Sequence, residues 1–302
     1  MGHRNSALKF PKNKITKNIL ILGGYGFLGQ HLVSHLSEKN NIYVGIKSTS
    51  KTPDLLLDIS FTIFYTDISD FYEHIKKIKF DIIINAIVDY GIKNTENQLR
   101  MSNVNLPLKI LSSVSLKETM FIHFDSYYSK FPNYFRLPLY QETKRELRDK
   151  LSLISDMRIL NFQLEHLYGP NDKTEKFIPQ MIKCLKKNDE NISLTSGIQK
   201  RDFLYVDDLL RLISIAINDF SSIPLGYNHF EVGTGSSVMI KSFLKELKTQ
   251  LNSQSYLNFG EYATHQNEII DTKADLYKLN KIFLWKPIYD YRLGIKKLLN
   301  KI

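Results

Sequence analysis

The chain has 302 residues, of which 43% are apolar and 24% charged, and its formal net charge is +10. With 14 glycines and 9 prolines it has the composition of one large or two modest globular domains, which excludes collagenous, low-complexity and wholly disordered chains. Cys184 is the only cysteine, which excludes an intramolecular disulfide and a cysteine-based zinc site. We therefore expect a protein of the reducing cytoplasm that binds no metal.

The positive charge limits the kinds of partner that we expect. Most lysine clusters fall at helical spacing, typical of solvated helix faces, although the net field attracts anionic small molecules. Aromatic residues do not interleave with the basic ones, so no nucleic-acid partner is expected. No apolar run approaches the ~18–20 residues that span a bilayer, so no membrane partner is expected. Residues 1–17 are basic and lack an apolar stretch, which predicts a loose arm and no secretory signal.

Strands and helices alternate along the first half of the chain. The pattern predicts strands at 18–22, 42–46, 61–65, 81–86, 120–125 and 157–164, and helices at 27–36, 98–114 and 139–153. After Pro170 it predicts a strand near 193–195, helices at 206–218, 240–251 and 293–299, and a strand at 230–232 that returns to the first sheet. We expect an α/β Rossmann-type doubly wound parallel sheet with a smaller C-terminal α/β lobe. The first domain covers 18–170 with return segments at about 200–235, and the substrate lobe is mainly 171–302.

A glycine-rich turn follows the first strand. Gly23, Gly26 and Gly29 stand at the junction with a helix that begins at Phe27 and Leu28. The chain must turn sharply there, bring its backbone against a pyrophosphate and pack helix on strand, and each glycine serves one of these needs. The N–H groups at the helix N-terminus then hold the phosphates. The turn predicts a dinucleotide site.

The residues after the second strand bear on the choice of dinucleotide. An acidic residue there would hold the ribose 2′-hydroxyl of NAD, whereas a cation accommodates the 2′-phosphate of NADP. The strand ends in Lys47 and Ser48, followed by two more hydroxyl residues, and no carboxylate occurs before Asp54. We therefore favour NADP(H), and NAD stays open.

Four tyrosines precede a lysine by four residues, and only one pair has the context of a catalytic site. Tyr43/Lys47 lies in a strand, Tyr72/Lys76 on a helix along the sheet, and Tyr277/Lys281 in the C-terminal lobe. Tyr140/Lys144 opens the helix after the fifth strand, at the carboxyl edge of the sheet where such folds bind ligands. Ser126 directly follows that strand, so its hydroxyl can meet the same substrate oxygen. We predict a catalytic trio of Ser126, Tyr140 and Lys144, in which the lysine, together with the second cation of an oxidised nicotinamide or strong hydrogen bonds, lowers the pKa of the tyrosine towards neutrality.

Beyond these motifs, the sequence resembles the extended short-chain dehydrogenase/reductases, the NAD-dependent epimerase/dehydratase family that acts on nucleotide sugars. The similar segments run in order over about 18–300, and they include Arg201–Asp208, Gly233–Gly235 and Trp285–Pro287. The resemblance implies that further residues contact the cofactor: Asp67 and Ile68 at the adenine, and Ala86, Ile87 and Asn103 beside the fourth strand. It also implies a homodimer formed by the helices that contain Asn103 and Tyr140.

Within that family, the stretch from Phe124 to Tyr140 most resembles nucleotide-sugar 4-ketoreductases of the CDP-abequose synthase type. That resemblance implies NADPH-dependent reduction of a 4-keto-(di)deoxyhexose on a nucleotide, for surface polysaccharide such as the O-antigen of lipopolysaccharide. The implied substrate contacts are Ser126, Tyr127, His166, Lys176, Phe177, Arg201 and His265. His166 stands where many relatives have asparagine, and Arg201 is either a diphosphate ligand or a partner of Asp202, Asp207 or Asp208.

Three other functions are weighed against this one. A 4,6-dehydratase needs an acidic pair after the catalytic hydroxyl, and Tyr127 and Tyr128 stand there instead, so dehydration is disfavoured. A 4-epimerase with tightly bound NAD needs the same trio and stays open. A non-catalytic NADP(H)-binding regulator commonly loses the Tyr/Lys pair, which this chain keeps. Asp125 is expected to bond to backbone or to turn towards Tyr127 or Tyr128.

Overall fold

The computed structural model describes residues 16–92, 94–114, 118–132 and 134–302. Of the predicted basic arm, residues 1–15 lie outside this range. Within the described residues no helix has the length and apolar character needed to cross a bilayer.

A seven-stranded parallel sheet forms the centre of the molecule. Its strands are β1 (Asn18–Leu22), β2 (Asn41–Ile46), β3 (Thr62–Tyr65), β4 (Ile82–Asn85), β5 (Met120–Ser126), β6 (Arg158–Leu164) and, much later in the chain, β11 (Gly226–Val232). Their order is β11-β6-β5-β4-β1-β2-β3, and every neighbouring pair is parallel. The order reverses beside β1, which creates the crevice in which such sheets bind ligands. The predicted Rossmann-type sheet is confirmed, including the returning seventh strand.

Helices pack on both faces of this sheet and on the elements of the second half of the chain. They are α1 (Phe27–Leu36), α2 (Phe71–Lys76), α3 (Glu96–Arg100), α4 (Leu106–Leu111), α5 (Pro138–Ser152), α6 (Phe177–Lys187), α7 (Val206–Asn218), α8 (Ile240–Gln250), α9 (Tyr277–Ile282) and α10 (Tyr291–Leu299). Alternate residues of each strand enter different apolar cores. One core holds Ile19 and Ile122 with α1 and α7, and the other holds Leu20 and Phe121 with α4 and α5.

The single helix predicted at 98–114 is divided in the structure. A wider π-helical turn, Met101–Asn105, separates α3 from α4, and the N–H of Leu106 donates to the carbonyl of Met101. Pro107 has no N–H and so cannot make the i→i−4 bond of an α-helix, which gives a physical reason for the wider turn before it. The turn carries Asn103 into a buried position.

Three two-stranded sheets in the second half of the chain were not predicted as sheets. They pair β7 (His166–Tyr168) with β10 (Phe203–Tyr205), β8 (Asn191–Leu194) with β13 (Tyr256–Phe259), and β9 (Lys200–Arg201) with β12 (Val238–Met239). The strand predicted near 193–195 therefore lies slightly earlier. The apolar core of α1 and α7 continues into this region through Phe243 and Leu298, so the second half packs directly on the sheet.

Candidate active site

Strand β5 and helix α5 bring the predicted trio together. Ser126 is the last residue of β5, at the carboxyl edge of the sheet. Helix α5 begins at Pro138, whose fixed φ suits the first helical position, after Leu137 in a left-handed conformation with φ 55°. Tyr140 and Lys144 then follow one turn apart on the buried side of α5, 4% and 2% exposed. Ser126, Tyr140 and Lys144 therefore lie close together, as the sequence predicted.

Lys144 is anchored beneath the site. Its Nζ donates to the carbonyl oxygen of Phe124 at 2.7 Å and lies 5.9 Å from the centre of the Tyr140 ring. Burial lowers the pKa of Lys144 to about 8, and the charge of Asp125 opposes that decrease. One N–H of the ammonium is thus committed to the backbone, and the others remain for a ligand.

The pKa of Tyr140 differs from the expectation. Burial raises the pKa of Tyr140 well above its usual value, with smaller contributions from Tyr90 and Asp125, and a hydrogen bond with Ser126 only partly opposes this. The predicted decrease is therefore wrong for this state, because desolvation of the phenolate outweighs the nearby ammonium. Tyr140 is a protonated phenol in the structure, as a general acid must be before it acts.

Ser126 is oriented by its neighbours. Its Oγ accepts a hydrogen bond from the N–H of Tyr128 at 3.3 Å, so the hydroxyl proton is directed to the Tyr140 oxygen or to a substrate oxygen beside it. The Asp125 carboxylate accepts from the N–H of Ser126 and from the hydroxyl of Ser129, each at 2.7 Å. Asp125 thus bonds to backbone as expected, and it fixes the turn that carries the catalytic hydroxyl.

The glycine-rich turn has the shape that a dinucleotide needs. Gly23 has φ +72°, and a Cβ there would meet the backbone of Ala86 at 3.1 Å. Gly26 precedes α1 and has no side chain to cap the first N–H groups of that helix. A cavity of about 320 Å³ lies beside the turn, lined in part by Gly26, Phe27 and Asn171. These residues fit a pyrophosphate against the helix N-terminus.

Gly29 offers a sharp test of this turn. A Cβ on Gly29 would lie 2.1 Å from the carbonyl oxygen of Gly23 and 2.7 Å from Cα of Gly24, so the turn must open to admit it. We expect Gly29→Val to weaken dinucleotide affinity at least ~100-fold, about 3 kcal/mol. Fluorescence titration with NADPH measures this, with Ser34→Ala on the same helix as the control. Unchanged affinity in a folded Gly29→Val protein would contradict the role of the turn.

The predicted adenosine contacts lie at the ends of β2 and β3. Lys47 is exposed after β2, and Ser48 donates its N–H and hydroxyl to the two carboxylate oxygens of Asp67 at 2.9 and 2.8 Å. These bonds, with a smaller contribution from Lys47, lower the pKa of Asp67. Asp67 therefore holds the loop that carries Lys47 and Ser48. The cofactor contacts proposed for Ile68, Ala86 and Ile87 stay predictions.

Asn103 ties the loop after β4 to α5. Its Nδ2 donates to the carbonyl of Asp89 and to the hydroxyl of Thr143, and its Oδ1 accepts from the N–H of Asp89, all within 3.0 Å. Asn103 thus holds the segment with Tyr90 against the catalytic helix, where Tyr90 and Tyr140 have ring centres 5.0 Å apart. The predicted contact of Asn103 with the cofactor stays a prediction.

Lys176 and His166 lie on the second-lobe side of the crevice. Lys176 Nζ is within 5.6 Å of the ring centres of Phe27 and Tyr90 and pairs with Asp172 at 3.1 Å. Burial alone would lower the pKa of Lys176. The neighbouring Tyr90 and Asp172 outweigh burial, so the pKa of Lys176 is raised. Burial lowers the pKa of His166 to about 4, helped by Arg201 and Lys176, so this imidazole is neutral at pH 7.

Arg201 is engaged by an acidic partner that the sequence did not indicate. Its guanidinium donates to Glu268 at 2.7 Å and to the carbonyls of Lys200 and Ile269. The expected partners do not hold it: Asp202 accepts from the turn at Thr234, and Asp208 accepts from Ile288 and Tyr289. Arg201 fixes the 268–269 segment, and its contact with a diphosphate stays a prediction.

Of the remaining substrate candidates, Tyr127 and His265 belong to aromatic contacts beside Ser126, whereas Phe177 lies on α6. Tyr127 and Tyr128 have ring centres 4.3 Å apart, and Tyr128 stacks on Tyr134. His265 stacks on Phe135 at 3.5 Å between ring centres, which joins the loop before α5 to the C-terminal segment. Phe177 is the first residue of α6, beside Lys176.

Several polar residues of this region were missed from the sequence. His123 is buried in β5, and its Nδ1 is paired with Asn85 at 3.1 Å. Lys130 donates to Glu165 at 2.8 Å and also to Glu231, which joins the loop after β5 to β11. The position of His123 as an isolated histidine in an apolar strand could have indicated its buried polar role. No signal linked the long-range partners of Lys130 and Arg201.

The sequence pattern of the NAD dependent epimerase/dehydratase family matches residues 19–233, from the first strand through the returning strand β11. The chain belongs to this family. A relative that aligns over nearly its whole length supports the assignment: the chain is 30% identical to CDP-abequose synthase of Salmonella typhimurium over 299 residues, 94% of this chain and 98% of that one. It is 22% identical to UDP-glucuronate 4-epimerase of Thermodesulfobacterium geofontis over 93% of this chain and 94% of that one.

Solved structures of other proteins have the same fold as this chain. The Bordetella bronchiseptica enzyme WbmG in complex with NAD superposes with a TM-score of 0.79 at 20% identity, covering 96% of this chain and 94% of that chain. A UDP-glucose 4-epimerase from Thermotoga maritima, solved with UDP-glucose, gives 0.77 at 18% identity over 94% and 98%. At these identities the likeness establishes the fold alone.

Proposed function

We propose that this protein is an NADPH-dependent 4-ketoreductase of a nucleotide-linked 4-keto-deoxyhexose or dideoxyhexose that serves surface polysaccharide biosynthesis in the cytoplasm. The observation that carries the proposal is a buried Tyr140 beside Ser126 and Lys144, with two tyrosines where a dehydratase needs an acidic pair. The 30% identity to CDP-abequose synthase supports the same reaction class.

The trio has the donors that reduction of a ketone requires. Bound NADPH supplies hydride. Tyr140 gives its phenolic proton to the oxygen that becomes the new alcohol, and Ser126 donates a hydrogen bond to the same oxygen. Lys144, held on the carbonyl of Phe124, directs its remaining N–H groups to the nicotinamide ribose. Two donors at the developing oxyanion lower the barrier because they are already in place.

We propose that the substrate diphosphate lies between the two halves of the molecule. Lys176 supplies the positive charge there, and His166 supplies a neutral N–H donor. The first N–H groups of α6, beginning at Phe177, point to the same region. Tyr127 and His265 contact the sugar and nucleotide. Arg201 holds the segment that contains Glu268 in place, and this role does not require a contact between Arg201 and the phosphate.

We propose NADP(H) as the preferred coenzyme because Lys47 follows β2 and the nearby carboxylate of Asp67 is occupied by Ser48. Lys47→Glu should raise the KM for NADPH roughly 10- to 100-fold and leave that for NADH within about twofold, since only NADPH carries the 2′-phosphate. Steady-state kinetics with both coenzymes tests this, with the exposed Lys286→Glu as a matched charge change. Equal effects on both coenzymes would contradict a 2′-phosphate contact.

We also propose a homodimer formed by α3, α4 and α5. Arg100 pairs with Glu142 and Glu146, so α3 and α5 present one continuous surface. Met101, in the π-helical turn between α3 and α4, and Leu139, on α5, are exposed apolar residues of this surface. Analytical ultracentrifugation tests the proposal, and Met101→Glu should shift the population to monomer.

A 4-epimerase is the second candidate, because it needs the same trio and several relatives are epimerases. An epimerase passes hydride away from the sugar and back, so it needs no added coenzyme. Purified protein carrying one tightly held NAD per chain would favour it.

The test is oxidation of NADPH with CDP-, dTDP- and GDP-linked 4-keto-6-deoxy and 3,6-dideoxy sugars, with NADH in parallel. We expect at least one of these ketones to oxidise NADPH. The proposal fails if none does and a saturated nucleotide sugar is interconverted without added coenzyme.

A further inference from the structure

Most of the positive charge of the protein lies on three helices in the second half of the chain. Helices α6, α8 and α10 contain nine basic residues and one acidic residue, so they account for +8 of the formal net charge of +10. The remainder of the chain is therefore nearly neutral. The basic residues are Lys183, Lys186, Lys187, Lys241, Lys245, Lys248, Arg292, Lys296 and Lys297.

These three helices pack side by side on one apolar core. Helix α8 contacts both α6 and α10, and Gln250 at its end donates to the carbonyl of Arg292 at 3.0 Å. Lys186 of α6 donates to the carbonyl of Ile302, just beyond α10, at 3.1 Å. The apolar sides of the helices enter the core through Ile182, Leu185, Phe243, Leu247, Ile295 and Leu298. Their basic sides point away from that core and form one surface, which we call the basic face.

The lysines of the basic face lack acidic partners. Among the described residues, lysines elsewhere form ion pairs with carboxylates, as Lys76 does with Glu73 at 2.9 Å. In the same part of the chain no lysine of the basic face does so, and Arg292 is paired with Glu246 at 3.6 Å. The exposed Asp189 and Glu190 follow α6 and leave the region strongly positive. Unneutralised like charges repel one another, so this concentration favours an anionic partner.

A cleft of about 340 Å³ opens in the basic face between α8 and β13. Lys241, Lys245 and Lys248 line one side of it, at a spacing that places them in one row along the helix. Tyr256 and Phe259 of β13 line the other side, and Lys241 Nζ lies 5.0 Å from the ring centre of Phe259. The cleft thus combines ammonium groups with an aromatic wall.

Exposed apolar side chains occur among these cations. Tyr256 is 61% exposed, and Leu293 of α10 is 52% exposed. Leu293 precedes Lys296 and Lys297 by three and four residues, so the three side chains share one side of the helix. Lysines together with a few exposed aromatic and aliphatic residues are typical of proteins that bind the surface of anionic membranes. The lysines attract lipid phosphates, and the apolar groups enter the boundary beneath them.

We propose that the basic face binds the surface of a membrane that contains anionic lipids, with one headgroup phosphate in the cleft beside α8. Eight of its nine cations are lysines, hydrated point charges that suit a diffuse negative surface, whereas arginine predominates in bidentate recognition of nucleic-acid phosphates. The exposed Leu293 also differs from the aromatic platforms on which single-stranded nucleic acids stack. The expectation of no membrane partner rested on the lack of a spanning segment, and peripheral binding needs none.

The basic face is separate from the proposed active site. It contains none of the residues proposed to contact the cofactor or the substrate, and none of the helices proposed to form the dimer. Its closest approach along the chain is α6, which begins at Phe177 and carries its lysines roughly 9–15 Å further along the axis. Variants of the basic face should therefore keep the wild-type kcat in the absence of lipid.

Co-sedimentation with sucrose-loaded vesicles tests the contact. We expect the wild-type protein to bind phosphatidylcholine vesicles that contain about 30 mol% phosphatidylglycerol, and to be released at about 0.5 M salt. It should not bind vesicles of phosphatidylcholine alone. The triple variant Lys241→Gln, Lys245→Gln, Lys248→Gln should bind roughly 100-fold more weakly, since each lysine near such a surface contributes about fivefold to affinity. Glutamine keeps a long side chain and favours helix, so α8 is retained.

A second triple variant addresses the other two helices. Lys183, Lys187 and Lys296 are exposed, and their replacement by glutamine should weaken vesicle binding by a similar factor. This variant replaces the first one if α8 does not tolerate its changes. The matched control removes the same charge from α9 and the end of α2, by Lys77→Gln, Lys278→Gln and Lys281→Gln, and should change binding less than about threefold.

The apolar contribution has a separate test. Tyr256→Ser combined with Leu293→Ser leaves the net charge unchanged and should weaken vesicle binding about tenfold, because less apolar surface enters the membrane boundary. The same double variant should not alter any weak binding to a DNA duplex of random sequence, which depends on charge.

Four results would overturn the proposal. They are no binding of the wild-type protein to anionic vesicles, equal binding to neutral ones, wild-type binding by both triple variants, and tighter binding to the DNA duplex than to anionic vesicles at the same salt. None of these measurements uses the sugar substrate. Failure of every keto sugar to oxidise NADPH would instead defeat the proposed function and leave the membrane contact unaffected.

Discussion

Tyr140→Phe is expected to lower kcat by roughly 10³- to 10⁴-fold while leaving the affinity for NADPH within about twofold. The substitution removes only the phenolic proton. The ring, which packs 5.0 Å from that of Tyr90, is kept. Because the pKa of Tyr140 is raised in the structure, the wild-type residue holds its proton at neutral pH and is ready to donate it. Steady-state kinetics together with fluorescence titration of NADPH separates chemistry from binding.

The chain contains a matched control for this variant. Tyr277 also precedes a lysine by four residues, and Lys281 Nζ lies 4.2 Å from its ring centre. Tyr277 is 65% exposed and lies on α9, not on the helix that carries Tyr140 and Lys144. Tyr277→Phe should therefore leave kcat unchanged. A Tyr140→Phe protein with wild-type kcat would assign the protonation step to another group.

Lys144→Met is expected to lower kcat by roughly 10²- to 10³-fold and to stabilise the protein at the same time. Folding lowers the pKa of Lys144 from its usual 10.5 to about 8 through burial. Between those pH values the unfolded chain binds more protons, so this residue makes stability increase with pH there, and its burial is most unfavourable below pH 8. A neutral side chain removes that cost, on the order of 3 kcal/mol at pH 7.

Urea unfolding at pH 7 and at pH 10 measures this effect. The stability gained by Lys144→Met should shrink at the higher pH, because the wild-type lysine is then largely neutral in the folded state. Lys281→Met, which removes an exposed lysine, should change neither activity nor stability. Loss of stability in Lys144→Met would indicate that this lysine is a structural residue and not one retained for function.

Local sequence patterns predicted most of the sheet and the trio because they depend on short spacings. The apolar run at Asn18–Leu22 directly before the glycines specifies a buried strand and its turn. Tyr140 and Lys144 are one helical turn apart, so their common face follows from helix geometry. Ser126 comes next to them because consecutive elements of a parallel sheet bring their ends to one edge.

Long-range pairings were not accessible in the same way. Arg201 has three aspartates within seven residues, yet Glu268 binds it because the segment 268–269 is packed against β9. The pKa of Tyr140 was predicted in the wrong direction, since the depth of burial depends on Tyr90 and other residues distant in sequence. The pairing of His123 with Asn85 required the strand order, which a single sequence does not specify.

Transfer of deuterium from the coenzyme tests the central claim most directly. The protein is incubated with NADPH deuterated at the transferable position of C4 and with the 4-keto nucleotide sugar that it accepts, and the product is analysed by mass spectrometry and NMR. The account predicts one deuterium per product, bonded to C4 of the sugar, and none with Tyr140→Phe on the same time scale. A product that forms without deuterium, at a rate that does not depend on added coenzyme, would contradict it.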